Sequence, residues 1–449
     1  MFANIEILSN NTYNFSTFTY TIPSKLVGKA QQGSIVQIKF RNKTLLGIII
    51  NIDDKSAIKK VNQIEKVLFN LNSLQYRYLQ YVALVNRINI GILIFNMFDI
   101  KNFHLQMKTN SRSITNLTFT QINKIKLKEK NIFFVPSLKH SKLLHDELKD
   151  EIHIDYYQKF GGKDELNKII NNNENYSNTI LLSNNFEKIT INNDCNYIFY
   201  DSNSNAYKLP KLNELNIIES AYLKNSLFGG HFTFISEFPN FEYFNQSWIS
   251  QDKYTFDIEY FISNSPKDNI ELVSHKYPKK VFNYYSNEKL PFDKNFNYIE
   301  ALDDPRVDTL IIQNPNISKN KILNSFKLIF LLKLLNYASK HDLNIIVFSS
   351  SSLDINKSLN SQNMSRWINN EINIRKKYGP NNFVKIYSIY SDKLIENISL
   401  DYLIGPKKVN DKYIYELQIK LSDKIDYELL QNIYKIIKDC EIKRIRHIS

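Results

Sequence analysis

Cysteine, glycine and proline are all scarce in these 449 residues: two, ten and eleven respectively. Cys195 and Cys440 each stand without a second cysteine at a ligand-like spacing. That excludes a disulfide-stapled scaffold and a four-cysteine zinc module. The eight histidines are scattered, with no pair two or four residues apart, so no bound metal is expected. Gly-Lys-Ser and Gly-Lys-Thr occur nowhere, which removes the usual cradle for nucleotide phosphates, and no cofactor is expected. Met1 to Ile7 has no basic stretch leading into an apolar core, so no signal peptide is expected. The longest apolar run, Leu328 to Leu335, is broken by Lys333 and too short to cross a membrane. A reducing cytoplasm is the expected location.

What is abundant points elsewhere. Phe and Tyr number 29 and 28, and 43% of residues are hydrophobic, a globular composition. Asn, Lys and Ile are used heavily and evenly along the chain. This pattern fits AT-rich coding better than a low-complexity functional segment. Lys and Arg outnumber Asp and Glu by 58 to 45, a formal charge of +13. Such a surplus favours a polyanionic partner, nucleic acid first, while the alternative is lysine supplied by codon bias alone. The length allows two to four domains.

The hydrophobic pattern divides the chain into α/β parts. Residues 1–100 read as a small β-barrel with one helix. Ser34–Phe40 and Leu45–Ile52 alternate around a turn at Arg41-Asn42-Lys43, as a hairpin does, and Leu71–Asn86 has helical spacing. Residues 101–130 are polar and basic and suit a linker. In 131–250 and 251–365, strands such as Asn131–Val135, Tyr197–Tyr200 and Asn344–Phe348 alternate with helices, which argues for two α/β lobes with mostly parallel sheets. Residues 366–449 read as an α+β sandwich of ferredoxin-like type.

Phe18-Thr19-Tyr20-Thr21-Ile22-Pro23, then Gly33-Ser34-Ile35-Val36-Gln37-Ile38-Lys39-Phe40-Arg41, then Gly47-Ile48-Ile49 and Asn89-Ile90-Gly91, stand in a distinctive order. So do Glu371-Ile372-Asn373-Ile374-Arg375-Lys376-Lys377 and Ile404-Gly405-Pro406-Lys407-Lys408 near the other end. In both places the chain resembles the primosomal protein N′ (PriA replication-restart helicase) family. The resemblance implies an OB-like 3′-end DNA-binding domain first, two RecA-like helicase lobes and a ferredoxin-like C-terminal domain. Between the ends, the family's chemical motifs are replaced. Its phosphate-binding loop before Val135-Pro136-Ser137 is absent. Asp201-Ser202-Asn203-Ser204-Asn205 stands for the acidic metal-holding motif, and Asn336-Tyr337-Ala338-Ser339-Lys340 for the arginine motif. Phosphoryl transfer needs metal, lysine and arginine together, so the lobes are expected to be catalytically dead and the chain not an enzyme. The zinc insertion and most of the winged helix are missing as well.

The resemblance implies a DNA-binding protein of replication restart and primosome assembly. It would recognise branched or single-stranded DNA at stalled forks, with restart and helicase-loading proteins as further partners and no membrane. The alternatives are a diverged ATP-dependent helicase and a protein-only replisome scaffold. Phosphate contacts are expected from Lys39, Arg41, Lys43, Lys59 and Lys60 in the first domain. In the last domain they are expected from Arg375, Lys376, Lys377, Lys407, Lys408 and Lys412. The alternative for each is a solvated basic face. Phe18 and Tyr20 either stack a base or belong to the barrel core. Asn62 stands where the family has a lysine, and Asp201 and Glu242 are acidic remnants.

Overall fold

The computed structural model describes residues 1–10, 17–55, 61–86, 88–98, 115–120, 127–158, 177–189, 191–192, 194–209, 212, 215–236, 238, 258–262, 272, 275–276, 282–286, 309–313, 332–335, 338, 342–349, 368–370, 372–373, 384–392, 394, 403–409, 411–420 and 444–447. The chain divides into two compact units, Met1–Ser236 with Lys385–Ile448, and Glu237–Val384.

The chain begins with an antiparallel sheet of five strands: β1 (Phe2–Ile7), β2 (Phe18–Thr21), β3 (Ser34–Phe40), β4 (Lys43–Asp53) and β5 (Ile64–Asn70), in the order β2-β1-β4-β3-β5. Alternation drives Ile5, Val36, Ile38, Ile49 and Ile64 into one core with Tyr20. The two edge strands meet through a parallel bridge between Thr21 and Gln63, next to a Thr21 N–H donating to Asn62 O at 2.8 Å. Between β3 and β4 the chain reverses in two residues, Arg41 and Asn42, with φ of 47° and 62°. Two left-handed residues in a row match the right-handed strand twist, so the hairpin closes with Phe40 opposite Lys43.

Two helices follow, α1 (Ser73–Val85) and α2 (Ile90–Met97). The sequence pattern predicts only the first. Ile90–Met97 is apolar almost throughout, so it carries no amphipathic signature, and it is buried on most sides. Its start is fixed from outside: the buried Glu6 carboxylate accepts the Gly91 N–H at 3.0 Å. A Cβ on Gly91 would stand 2.5 Å from Ile7 O, so only glycine allows this approach.

A six-stranded sheet, parallel throughout, comes next. Its strands are β6 (Thr115–Thr120), β7 (Lys130–Val135), β8 (Tyr156–Tyr157), β9 (Asn178–Leu182), β10 (Cys195–Phe199) and, after a two-strand ladder of β11 (Lys208–Leu209) and β12 (Leu215–Asn216), β13 (Gly230–Ile235). The order is β6-β13-β10-β7-β9-β8. Helix α3 (Leu138–Leu148) follows β7, and α4 (Ile217–Phe228) precedes β13. Strand β6 corrects the linker expected at 101–130, because its six residues pair with β13 along their length. Thr-Asn-Leu-Thr-Phe-Thr is polar by composition yet rich in strand-forming threonine, and the charge around it hid the alternation.

The second unit holds a four-stranded parallel sheet: β14 (Ile258–Ile262), β15 (Phe282–Ser286), β16 (Thr309–Gln313) and β17 (Asn344–Ser349), in the order β14-β17-β16-β15. The last sheet comprises β18 (Val384–Ser391), β19 (Leu403–Val409), β20 (Lys412–Lys420) and β21 (Arg444–His447), ordered β19-β20-β18-β21. The sequence pattern of Tyr427–Cys440 predicts a helix, and this segment lies outside the described residues. The whole is a multidomain α/β protein with an antiparallel N-terminal sheet.

Candidate nucleic-acid interface

Lys39, Arg41 and Lys43 come together on the β3–β4 hairpin, all three exposed. Alternation sends Lys39 to the face away from Phe40, where its ammonium lies 3.7 Å from Glu65 at the surface. Lys39 remains 67% exposed, so this pair leaves most of the charge in water. Arg41 lies at the tip with its guanidinium carbon 5.4 Å above the Phe40 ring. Phe40 meets Phe18 edge-on at 4.7 Å, and both pack against the sheet's core. An aromatic plate thus supports the tip cation and holds the hairpin to the body of the domain.

Tyr20 belongs to the core: it is 3% exposed, and its hydroxyl donates to Lys39 O at 3.1 Å. Burial pushes its phenol above the ordinary value of 10. A ring held in this way offers no face to a base. Phe18 is half-buried against Phe40. Asn62 lies at the same seam, its carbonyl accepting the Thr21 N–H. Lys59 and Lys60 lie outside the described residues, as do Arg375, Lys376, Lys377 and Glu242.

Lys407, Lys408 and Lys412 form a second group. The Gly405-Pro406-Lys407-Lys408 sequence reads as a loop, but Lys407 and Lys408 belong to strand β19, paired with Ile414 and Tyr413 of β20. The ladder is irregular between Ile404 and Lys407, around Gly405-Pro406. Gly405 has φ of 133°, a conformation foreign to other residues, and that break hid the strand from pattern reading. Lys408 and Tyr413 face each other, ammonium 5.9 Å from the ring centre. Lys412 pairs with Val409 at the hairpin's end, and all three lysines are exposed. Neither Phe40 nor Tyr413 is marked by the sequence as a support for a cation. Phe40 was adjacent to a candidate cation, but Tyr413 becomes visible only with the β19–β20 register.

Asp201 lies just past the carboxyl end of β10 with φ of 48°. Its carboxylate is 4.0 Å from His140 Nε2, while His140 Nδ1 is 2.8 Å from the Ser137 hydroxyl that caps α3. Nearby, burial raises the Glu147 carboxyl, to which Tyr200 donates at 3.4 Å. These side chains build a helix cap and its neighbours. Among the described residues no three His, Cys, Asp or Glu converge as a metal site, and no helix is long and apolar enough to cross a membrane.

Comparison with curated proteins gives no match. Among solved structures, RecG bound to a three-way DNA junction aligns at 9% identity and a TM-score of 0.35, over 70% of this chain and 48% of that one. The Arterivirus nonstructural protein 10 (helicase) in complex with DNA aligns at 8% identity and a TM-score of 0.24, over 74% and 77%. Likeness at that level carries no argument, and the chain spans less than half the length of the RecG chain. The family profile of the PriA 3′ DNA-binding domain (3′BD) matches residues 7–91, which contain the Lys39–Arg41–Lys43 hairpin. Residues 7–91 are therefore similar to the PriA 3′ DNA-binding domain, and the chain is PriA-like in its first domain.

Proposed function

We propose that this chain is a DNA-binding protein of replication restart that holds branched or single-stranded DNA without hydrolysing ATP. The observation that carries this reading is an exposed, aromatic-backed hairpin of three cations inside a domain of a DNA-binding family. Such a tip can meet phosphates with charge alone. The β19–β20 hairpin supplies a second group of three cations, likewise with one ammonium over a ring. The Thr21–Gln63 bridge supports reading the first sheet as a small closed OB-like barrel. The two parallel sheets suit degenerate RecA-like lobes divided near residue 250, and the last sheet suits a ferredoxin-like domain. Helicase-loading proteins and a cytoplasmic location complete the proposal.

The absence of ATP hydrolysis rests on length as well as on lost motifs. A phosphate-binding loop sits between a strand and the helix after it. Only residues 121–129 separate β6 from β7. These strands stand three places apart in a parallel sheet, about 14 Å sideways, with a return of about 20 Å along the strand. A chain leaving one end must therefore span about 25 Å. Nine residues reach about 30 Å when extended but only about 14 Å as a helix. Nine residues are few for a phosphate loop and helix that must also make this crossing, which supports the ATP-independent reading.

Labelled fork, single-stranded and duplex DNA titrated across a salt series, with and without Mg-ATP, tests the proposal. Fork or single-strand preference that weakens steeply with salt and ignores ATP is the expected result. An ATP effect would restore the diverged helicase, and no binding at moderate salt would leave a protein scaffold.

A further inference from the structure

Helix α1 is buried along most of its length: from Gln75 to Ala83 every residue but Arg77 is buried, while Ser73 and Leu74 at its start are exposed. A helix buried over so much of its surface packs against a layer on each side. On one side is the first sheet, where Tyr76 packs against Gly33 and its hydroxyl donates to Ile50 O at 3.3 Å. On the other side is the parallel-sheet domain, beyond the matched residues. There the Tyr78 hydroxyl donates to Glu187 Oε1 at 2.5 Å, and the Tyr78 ring meets Phe228 of α4 edge-on at 5.6 Å.

Glu187 is the centre of this contact. It lies on the 3₁₀ turn Ser183–Lys188 after β9, and its second oxygen accepts from Lys224 of α4 at 3.2 Å. Both side chains are 2% exposed. The Lys224 ammonium also lies 4.8 Å from the centre of the Phe186 ring. Burial, and then the Glu187 charge, hold the Tyr78 phenol well above its ordinary value, so it stays a donor. Three elements from two layers converge on one carboxylate that water does not reach. A buried pair of this kind adds little stability over apolar packing, but losing one partner strands the other, so it fixes geometry strongly.

We infer that Tyr78, Glu187 and Lys224 form an interdomain latch, with Glu187 as the positioning residue that joins the matched domain to the parallel sheet as one body. The β3–β4 hairpin then keeps a fixed orientation to that sheet whatever it binds. The latch does not rest on the DNA reading. An apolar interface of the same area would permit sliding, whereas a buried carboxylate with two directional donors permits one register.

Hydrogen–deuterium exchange on the full chain tests this. In Lys224→Met, exchange in peptides of α1 and α4 is expected to speed up together, by at least about tenfold, because Glu187 loses its counter-charge. In the Glu187→Gln/Lys224→Met double variant most protection returns, since no buried charge remains and Gln still accepts from Tyr78. Acceleration confined to α4 would overturn the latch by making the pair internal to the parallel-sheet domain. A double variant as loose as the single would overturn it by assigning the effect to packing. Should Lys224→Met fail to fold, Tyr78→Phe removes only the hydroxyl. It is expected to speed exchange about fivefold in both α1 and the 183–188 turn, and unchanged exchange there would reject the latch.

Discussion

The two basic hairpins are built alike and anchored differently. Each presents three cations around a tight reversal, and each sets one cation over an aromatic ring of its own strands. In the first, the ring is Phe40, which packs on Phe18 and the domain core, and Lys39 lies beside Glu65. In the second, the ring is Tyr413, half-buried, and the three lysines are exposed. Charge and stability are therefore entangled in the first hairpin and separable in the second. A binding defect there can be read as lost charge, whereas one in the first hairpin must be checked against folding.

The largest expected effect is on salt dependence. Replacing Lys407, Lys408 and Lys412 together by Ala should reduce the slope of log affinity against log salt by about 2 for single-stranded DNA. The melting temperature should stay within error, and an unchanged slope would remove this hairpin from the interface. Next, Phe40→Ala should cost about 2 kcal/mol of stability by denaturant titration, because it opens a gap beneath Arg41 and beside Phe18. Tyr413→Ala should cost about half as much, and equal losses would erase the contrast between the hairpins. Arg41→Gly sharpens it further. The left-handed φ of 47° suits glycine, so stability should hold within about 0.5 kcal/mol while DNA affinity falls. Alkaline pH acts on the first domain only weakly. Tyr20 and Tyr78 have raised pKa values when folded, so their contribution is complete below pH 10 and declines as the unfolded chain ionises above it. Melting between pH 9 and 11 should show that decline, and Tyr20→Phe should reduce it.

Much of the fold is legible where local signals agree with the tertiary outcome. The β3–β4 hairpin is one such place, since its strands alternate and its turn residues tolerate positive φ. Strand β7 and helix α3, entered through the Ser137 cap, are another. Legibility fails where context overrides composition. Helix α2 is apolar on all but one short stretch because most of its surface is buried, leaving only Phe95 and Asn96 exposed. Strand β6 looks like a linker because its partner β13 lies over a hundred residues away in sequence. Strand β19 looks like a loop because Gly405-Pro406 interrupts its ladder. The candidate site divides the same way. Lys39, Arg41 and Lys43 are visible as charge beside a turn, yet whether Tyr20 faced outward depended on a bond to Lys39 O. The Tyr78–Glu187–Lys224 cluster gave no signal, since its members are scattered along the chain and each is ordinary in its own segment.

If the protein is ATP-independent as proposed, the nine residues between β6 and β7 bear on what engineering could add. A lost side chain can return by one substitution, so a motif eroded only in its residues remains within reach of mutation. A lost span cannot. Restoring glycines and a lysine to 121–129 would still leave too little chain for a phosphate loop and its helix. Adding a nucleotide cradle here would require insertion of roughly a dozen residues between two strands already fixed in one sheet. On the proposed ATP-independent reading, so short a span would make the change hard to reverse by point mutation.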